Sequence, residues 1–163
     1  MFDQFDPAED KMLQVIDNNG KVISKELMPK LSDEETLKLY KDMLFVRTLD
    51  HMIVSYQRQG RVYTYPPNYG QEAIGVAAGA VLRHDDWLVP AFRELGAWLA
   101  KGATMKDVFM FNMGFEEGTK FAGANHMLPS SVPIASQLLH ASGIGYAIKY
   151  QKKDEVAMAF VGD

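Results

Sequence analysis

Residues 155–163 read EVAMAFVGD. The apolar run from Val156 to Val161 is too short for a helix of its own, and it is bounded by the polar turn QKKDE before it and Gly-Asp after it. A continuous apolar run of this length is expected of a strand buried on both faces, the condition of strands in parallel sheets covered by helices. A strand that ends in Gly162-Asp163 also delivers a carboxylate to the place where open α/β sheets bind ligands, outside the carboxyl ends of their strands.

Working back from that strand, Ile134, Leu138, Ser142 and Gly145 recur at helical spacing and predict a helix with a small-residue face. Residues 115–133 show no period and carry glycines and prolines, so they are expected to form a long irregular loop of the kind that bears function. Thr104 with Asp107 forms a capping-box pattern before VFMFNMG, a helix stopped at Gly114. Trp87–Phe92 is a second short apolar run, which places Arg93 at a strand end with a helix beginning there or soon after. Gly70–Leu82 predicts a buried helix whose Ala73, Ala77, Ala80, Gly75 and Gly79 admit close backbone approach. Together with residues 135–148 it is expected to pack against partners. RVYTYPPNYG, with two prolines, predicts an extended loop rather than a central strand. Ser32 and Glu35 form another capping box, and Leu39, Met43, Val46, Leu49, Ile53 and Tyr56 continue a long amphipathic helix up to Gly60. Further back, Asn19-Gly20 between short alternating runs predicts a hairpin with a type I′ turn. Strands separated by helices make the class α/β, a parallel sheet flanked by helices. The expected division is an amino-terminal helical and hairpin extension over residues 1–31 and a domain over 32–163.

The 163 residues, 47% hydrophobic, suffice for one domain with a sizeable core. A net charge of -4 with no basic block argues against nucleic acid as a partner. With no cysteine, disulfides, thiolate nucleophiles and Cys-ligated metals are excluded, which suits the cytoplasm. The opening MFDQFDPAEDKMLQ lacks the order of a signal peptide, and AIGVAAGAVL is too short to span a bilayer.

The chemistry therefore concentrates on Arg93, the loop before Ile134, and Asp163. An aspartate suits Mg²⁺, which is commonly shared with substrate phosphates, and the guanidinium fork matches phosphate oxygens. Taken alone, Gly-Asp after a strand also reads as a turn or N-cap, and Arg93 as a surface ion-pair residue. His126 and His140 receive no catalytic role. Tyr63, Tyr65 and Tyr69 read either as the mouth of a pocket or as packing over a helix end. Met105, Met110 and Met113 read as core fillers.

SKELMPKLSDEE (24–35), RQGRVYTYPPNYGQEA (58–73), LVPAFRELGAWLAKG (88–102), LPSSVPIASQ (128–137) and DEVAMAFVGD (154–163) occur in that order. In this the chain resembles the alpha subunits of the decarboxylating component of 2-oxoacid dehydrogenase complexes, bacterial pyruvate dehydrogenase above all. The resemblance implies a thiamine-diphosphate-binding fold, incomplete here, in an α2β2 heterotetramer. Its partners would be a beta subunit, the lipoyl acyltransferase core and a 2-oxoacid, and its reaction oxidative decarboxylation of pyruvate with acetyl transfer to a lipoyl group. It implies thiamine diphosphate with Mg²⁺ as cofactors. By position Phe92 and Arg93 match the aromatic-Arg pair that meets the cofactor, with phenylalanine where tyrosine is usual. Ile134 matches a backbone contact to the aminopyrimidine. Gly162 and Asp163 match the start of a Gly-Asp-Gly motif in which Asp163 ligates Mg²⁺, and the chain is expected to stop inside that motif. Ser131, Pro133, Ser136 and Gln137 align with a monovalent-cation site of branched-chain relatives. No catalytic residue is assigned within the chain. TYPPNY stands where some pyruvate enzymes carry a histidine, so a branched-chain 2-oxoacid dehydrogenase stays open, as does a non-catalytic binding or regulatory module.

Overall fold

The computed structural model describes residues 13–162. The expectations placed on residues 1–12 and on Asp163, its Mg²⁺ ligation included, lie outside the described residues. The described residues fall into two compact units, one up to Thr36 and one from Leu37.

In the first unit the expected hairpin is present as a single antiparallel bridge, Ile16 to Val22. Its turn differs from the expected type I′. The Gly20 amide donates to the Asp17 carbonyl (3.0 Å) and the Asp17 amide to the Lys21 carbonyl (2.9 Å). Gly20 has a φ of 81°, while Asn19 is not among the positive-φ residues, so one left-handed position suffices. The reason is Asp17: its Oδ1 accepts from the amides of Asn19 and Lys21, both at 2.8 Å, and holds a wider loop of the type that ends in a glycine bulge. The capping box before the long helix forms as expected, with the Ser32 amide on Glu35 (2.7 Å) and the Glu35 amide on Ser32 Oγ (3.2 Å).

Helix α1 (Asp33–Arg58) buries Val46, Leu49, Asp50 and Ile53 and ends before Gly60, whose φ is 72°. Residues 61–68 run without regular structure, as two prolines require, and turn Val62, Tyr65 and Asn68 inward. Then follow α2 (Glu72–Val81), β1 (Trp87–Val89), α3 (Leu95–Ala100), α4 (Met105–Asn112), a 3₁₀ turn at Glu116–Thr119, α5 (Ser136–Tyr150) and β2 (Ala157–Ala159). Thr104 and Asp107 cap α4 reciprocally, and Gly114 (φ 80°) stops it.

The small-residue face of α2 is used within the chain, which corrects the expectation that it awaits a partner. Gly75 and Gly79 lie against α3, and an added Cβ on Gly96 would come 2.7 Å from the Val76 amide nitrogen. With backbone on the other side there is no side chain to swing away. Gly96→Ala is expected to lower stability by about 2–3 kcal/mol, the upper range for overpacking, read as a fall in the urea midpoint at unchanged slope. Ala73, Ile74, Ala77 and Ala80 on the opposite face are exposed, so α2 is half-buried rather than buried.

The two strands pair in parallel, Trp87 with Ala157, Leu88 with Met158 and Val89 with Ala159. A further parallel bridge, Leu88 to Met127, brings part of the irregular loop to the other edge of β1. Strand β1 is thus the covered one, with Leu88 at 0% exposure, whereas all three residues of β2 are only half-buried. Helix α5 packs on both strands, yet it buries only Gln137 and Ile148 and leaves Leu139, Tyr146 and Tyr150 exposed.

At the amino ends of the strands Asp86 ties the pair together. Its carboxylate accepts from the Val156 amide (2.9 Å) and from the Arg83 amide, Nε and Nη2 (2.8, 3.1 and 3.0 Å). Lys101 closes the same corner by donating from Nζ to the carbonyls of Arg83, His84 and Asp86 at 2.8–3.0 Å.

Candidate functional site

Parallel pairing puts the carboxyl ends of β1 and β2 side by side. From Val89 the chain passes Pro90, which has no amide proton to extend the ladder, and reaches Phe92 and Arg93. From Ala159 it passes Phe160, whose amide donates to the Val89 carbonyl (3.3 Å), and reaches the exposed Gly162. The first turn of α5 is fixed to the same end, because Gln137 Nε2 donates to the Phe160 carbonyl at 2.5 Å. The loop before α5 arrives there too, through the Leu128 amide on the Leu88 carbonyl (3.0 Å). The structure thus brings Phe92, Arg93, the 128–134 loop and Gly162 to one end of the sheet.

Between the loop and the strand end lies a cavity of about 430 Å³. Phe92, Tyr65, Trp98 and Phe111 make much of its wall, and Asn68 and Ser130 supply polar edges. Arg93 is exposed and its guanidinium lies 5.1 Å from the Phe92 ring centre. Among the described residues it makes no ion pair. Its amide donates to Glu94 Oε2 (3.0 Å), and burial pushes the Glu94 carboxyl up from the ordinary range.

Ile134 exposes 71% of its surface, which leaves the backbone there approachable. Ala135, at φ 65°, turns the chain into α5 with no side-chain cap. Ser131, Pro133 and Ser136 are gathered: the two hydroxyls share a hydrogen bond of 2.5 Å, and Ser136 Oγ donates to the Pro133 carbonyl (2.7 Å). Gln137 is buried and turned toward Phe160, and its Oε1 has no hydrogen-bond partner. Among the described residues no three His, Asp or Glu side chains cluster as metal ligands.

A polar network that the sequence reading did not single out lies behind the cavity. Asp50 Oδ1 accepts from the Tyr65 hydroxyl (2.6 Å) and the Asn68 amide (2.7 Å). Burial, with the Asp50 bond next, pushes the Tyr65 phenol well above its usual range. The available signal was an aspartate on the buried stripe of α1 beside Leu49 and Ile53. Of the three tyrosines weighed, Tyr65 is buried and Tyr63 exposed in the same cavity wall, whereas Tyr69 stacks on His51 at 5.7 Å under the Arg47 guanidinium. Arg47 also pairs with buried Glu72, and that bond chiefly lowers the Glu72 carboxyl to about 2. His126 stacks on Trp87 at 4.3 Å and bonds the Asp85 carbonyl; His140 is exposed.

Residues 40–163 match the family model described as Dehydrogenase E1 component. The chain is 39% identical over 147 residues to the pyruvate dehydrogenase E1 component subunit alpha of Acholeplasma laidlawii, covering 90% of this chain and 43% of that one. It is 33% identical over 153 residues to the subunit of the same name from Staphylococcus aureus strain Mu50, covering 94% and 41%. The Staphylococcus epidermidis subunit is 31% identical over the same length. The chain thus spans about two fifths of the length of the curated relatives it matches.

Proposed function

Because the chain belongs to the dehydrogenase E1 component family, we propose that it is the cofactor-facing part of the alpha subunit of a cytoplasmic pyruvate dehydrogenase, acting with thiamine diphosphate and Mg²⁺. The observation that carries this reading is the convergence of Phe92, Arg93, the 128–134 loop and Gly162 at the carboxyl end of the parallel pair. The residues present fit the cofactor. An exposed guanidinium with no carboxylate partner among the described residues matches a diphosphate, whose oxygens accept its fork. Thiamine diphosphate supplies the carbon nucleophile and electron sink for decarboxylation, and the protein supplies binding, orientation and electrostatics.

In this reading Arg93 holds the diphosphate, Phe92 and the loop wall exclude water, and the exposed backbone at Ile134 meets the aminopyrimidine. Gly162 leaves open space where a Cβ would stand, so the chain there admits close approach of a metal-bound phosphate. Asp163 supplies the Mg²⁺ carboxylate. Ser131, Pro133, Ser136 and Gln137 form an oxygen-rich turn suited to a monovalent cation, and the unpartnered Gln137 Oε1 supports that assignment. We assign no catalytic residue within the chain. A beta subunit in an α2β2 assembly completes the site, and a lipoyl acyltransferase core accepts the acetyl group.

The apolar cavity of about 430 Å³ also favours a second reading, because it leaves room for the side chain of a branched-chain 2-oxoacid. The test reconstitutes the full-length alpha subunit with its beta partner and measures CO₂ release. Thiamine-dependent release from pyruvate is expected to exceed that from branched-chain 2-oxoacids. The reverse order overturns the substrate, and cofactor-independent release or none overturns the reading.

A further inference from the structure

Helix α3 has only six residues, and its N-cap residue Glu94 makes no side-chain cap. The Glu94 carboxylate is turned back onto the Arg93 amide instead. The first helical amide, Leu95, is buried at 3% exposure, and a buried donor left without a partner costs about 1–3 kcal/mol. Its acceptor comes from far along the chain: Asn68 Oδ1, at 3.0 Å and 27 residues earlier.

Asn68 is itself held at every other polar atom that the fold reaches. Its amide donates to Asp50 Oδ1 (2.7 Å), and its Nδ2 donates to the Tyr65 hydroxyl and the Pro66 carbonyl, both at 3.1 Å. Tyr65 in turn donates to the same Asp50 oxygen (2.6 Å). Asp50, Tyr65 and Asn68 are 1%, 6% and 3% exposed. Three buried side chains from α1 and the 61–70 loop therefore fix one amide that stands two residues after Arg93. With Glu94 holding the Arg93 amide, the backbone on which the guanidinium is mounted is held by side chains at two alternate positions.

We propose that Asn68, oriented by Asp50 and Tyr65, is a positioning residue for the strand-end pair Phe92–Arg93. Although Asn68 also edges the cavity, it acts on cofactor binding through Arg93. The arrangement is costly for a purely structural cap, since it buries a carboxylate whose second oxygen, Asp50 Oδ2, has no hydrogen-bond partner. It is suited to keeping the backbone under Arg93 fixed, so that less ordering remains to be done on binding.

The inference rests on the functional reading above, and a double-variant cycle separates the two. Full-length subunit is assembled with its beta partner, and its thiamine diphosphate affinity is measured by calorimetric titration with excess Mg²⁺. The series is wild type, Asn68→Ala, Arg93→Ala and the double variant, with Asn68→Ser in place of alanine should the latter fail to fold. Arg93→Ala is expected to weaken binding ten- to a hundredfold, as loss of one charge-assisted contact does. Asn68→Ala is expected to weaken it about tenfold, and the double variant no further than Arg93→Ala alone, because residues acting through one contact are not additive. Hydrogen exchange should rise at residues 92–96 in Asn68→Ala and not in α5. Losses that multiply, or an Asn68 variant that binds as wild type does, overturn the inference and leave the functional reading standing. A wild-type assembly that takes up no thiamine diphosphate overturns both.

Discussion

Asp163→Ala in the full-length subunit, assembled with its beta partner, is expected to abolish Mg²⁺-dependent uptake of thiamine diphosphate. Strand β2 ends at Ala159 and leads through Phe160, pinned to Val89 and Gln137, to the exposed Gly162. Mg²⁺ takes hard oxygen ligands and is commonly held by one or two carboxylates plus phosphate oxygens, which leaves little redundancy. Loss of an outer partner of a metal ligand typically costs ten- to a hundredfold in affinity, so loss of a direct carboxylate should exceed about a hundredfold. Titration with and without Mg²⁺ reads the result. A variant that keeps affinity within about threefold of wild type removes Asp163 from the metal site.

The second large effect is on stability. Asp86 is 2% exposed and accepts four hydrogen bonds, three from Arg83 and one from the Val156 amide that opens onto β2. Removing one partner of a buried ion pair costs about 3–5 kcal/mol. Arg83 is half exposed and keeps its hydration, which puts Asp86→Ala near the lower figure, about 3 kcal/mol. Chemical denaturation should show the loss, and cofactor affinity per folded molecule should stay unchanged because Asp86 lies at the opposite end of the strands. The pH dependence follows from the same contacts. Hydrogen bonds from Arg83 hold the Asp86 carboxyl well below the usual carboxylate range. Its contribution is therefore fully present above the unfolded value of about 4 and is lost as pH falls from there toward the folded value. Asp86→Ala should flatten that part of the acid limb. An unaltered acid limb would detach the pairing from stability.

What could be read from residues alone was whatever depends on near neighbours in the chain. Ser32 with Glu35, Thr104 with Asp107, and the stops at Gly60 and Gly114 all act across three or four residues, and all stand as read. That Arg93 lies beyond the carboxyl end of a short apolar strand was legible for the same reason. But β1 stops at Val89, before Pro90, and not at Phe92, so Arg93 stands on the connection to α3 and not at the strand end itself. The hairpin turn was misread because Asp17 bonds two amides and selects a different loop, a competition that Asn-Gly alone does not display. Contacts between distant segments were hidden. Nothing local in PPNYG announces that Asn68 caps a helix 27 residues on, and nothing in LAKG announces that Lys101 binds three carbonyls of the 83–86 turn. Small residues on α2 were read correctly as a close-approach face, but their partner was assigned outside the chain because a pattern of glycines carries no address. Arg93 and Asp163 were singled out by their place after apolar runs, the other site residues came from resemblance, and geometry added where the described ones stand.

The glycine contact between α2 and α3 also sets where the molecule can yield. An added Cβ on Gly75 would lie 3.3 Å from Gly96 Cα, so at that point backbone meets backbone with no rotamer between them to absorb a displacement. Close-packed interiors of this kind transmit strain instead of damping it. Helix α3 and the strand end mounted on it therefore behave as one jaw with α2, and a load on Arg93 is passed on to the body of the domain. The facing loop has no such backing at Ile134, where the side chain stands largely in solvent and local opening is easy. On the proposed reading an arriving diphosphate would meet one stiff jaw and one compliant one, and closure around it is expected to move the loop toward Arg93 and not Arg93 toward the loop.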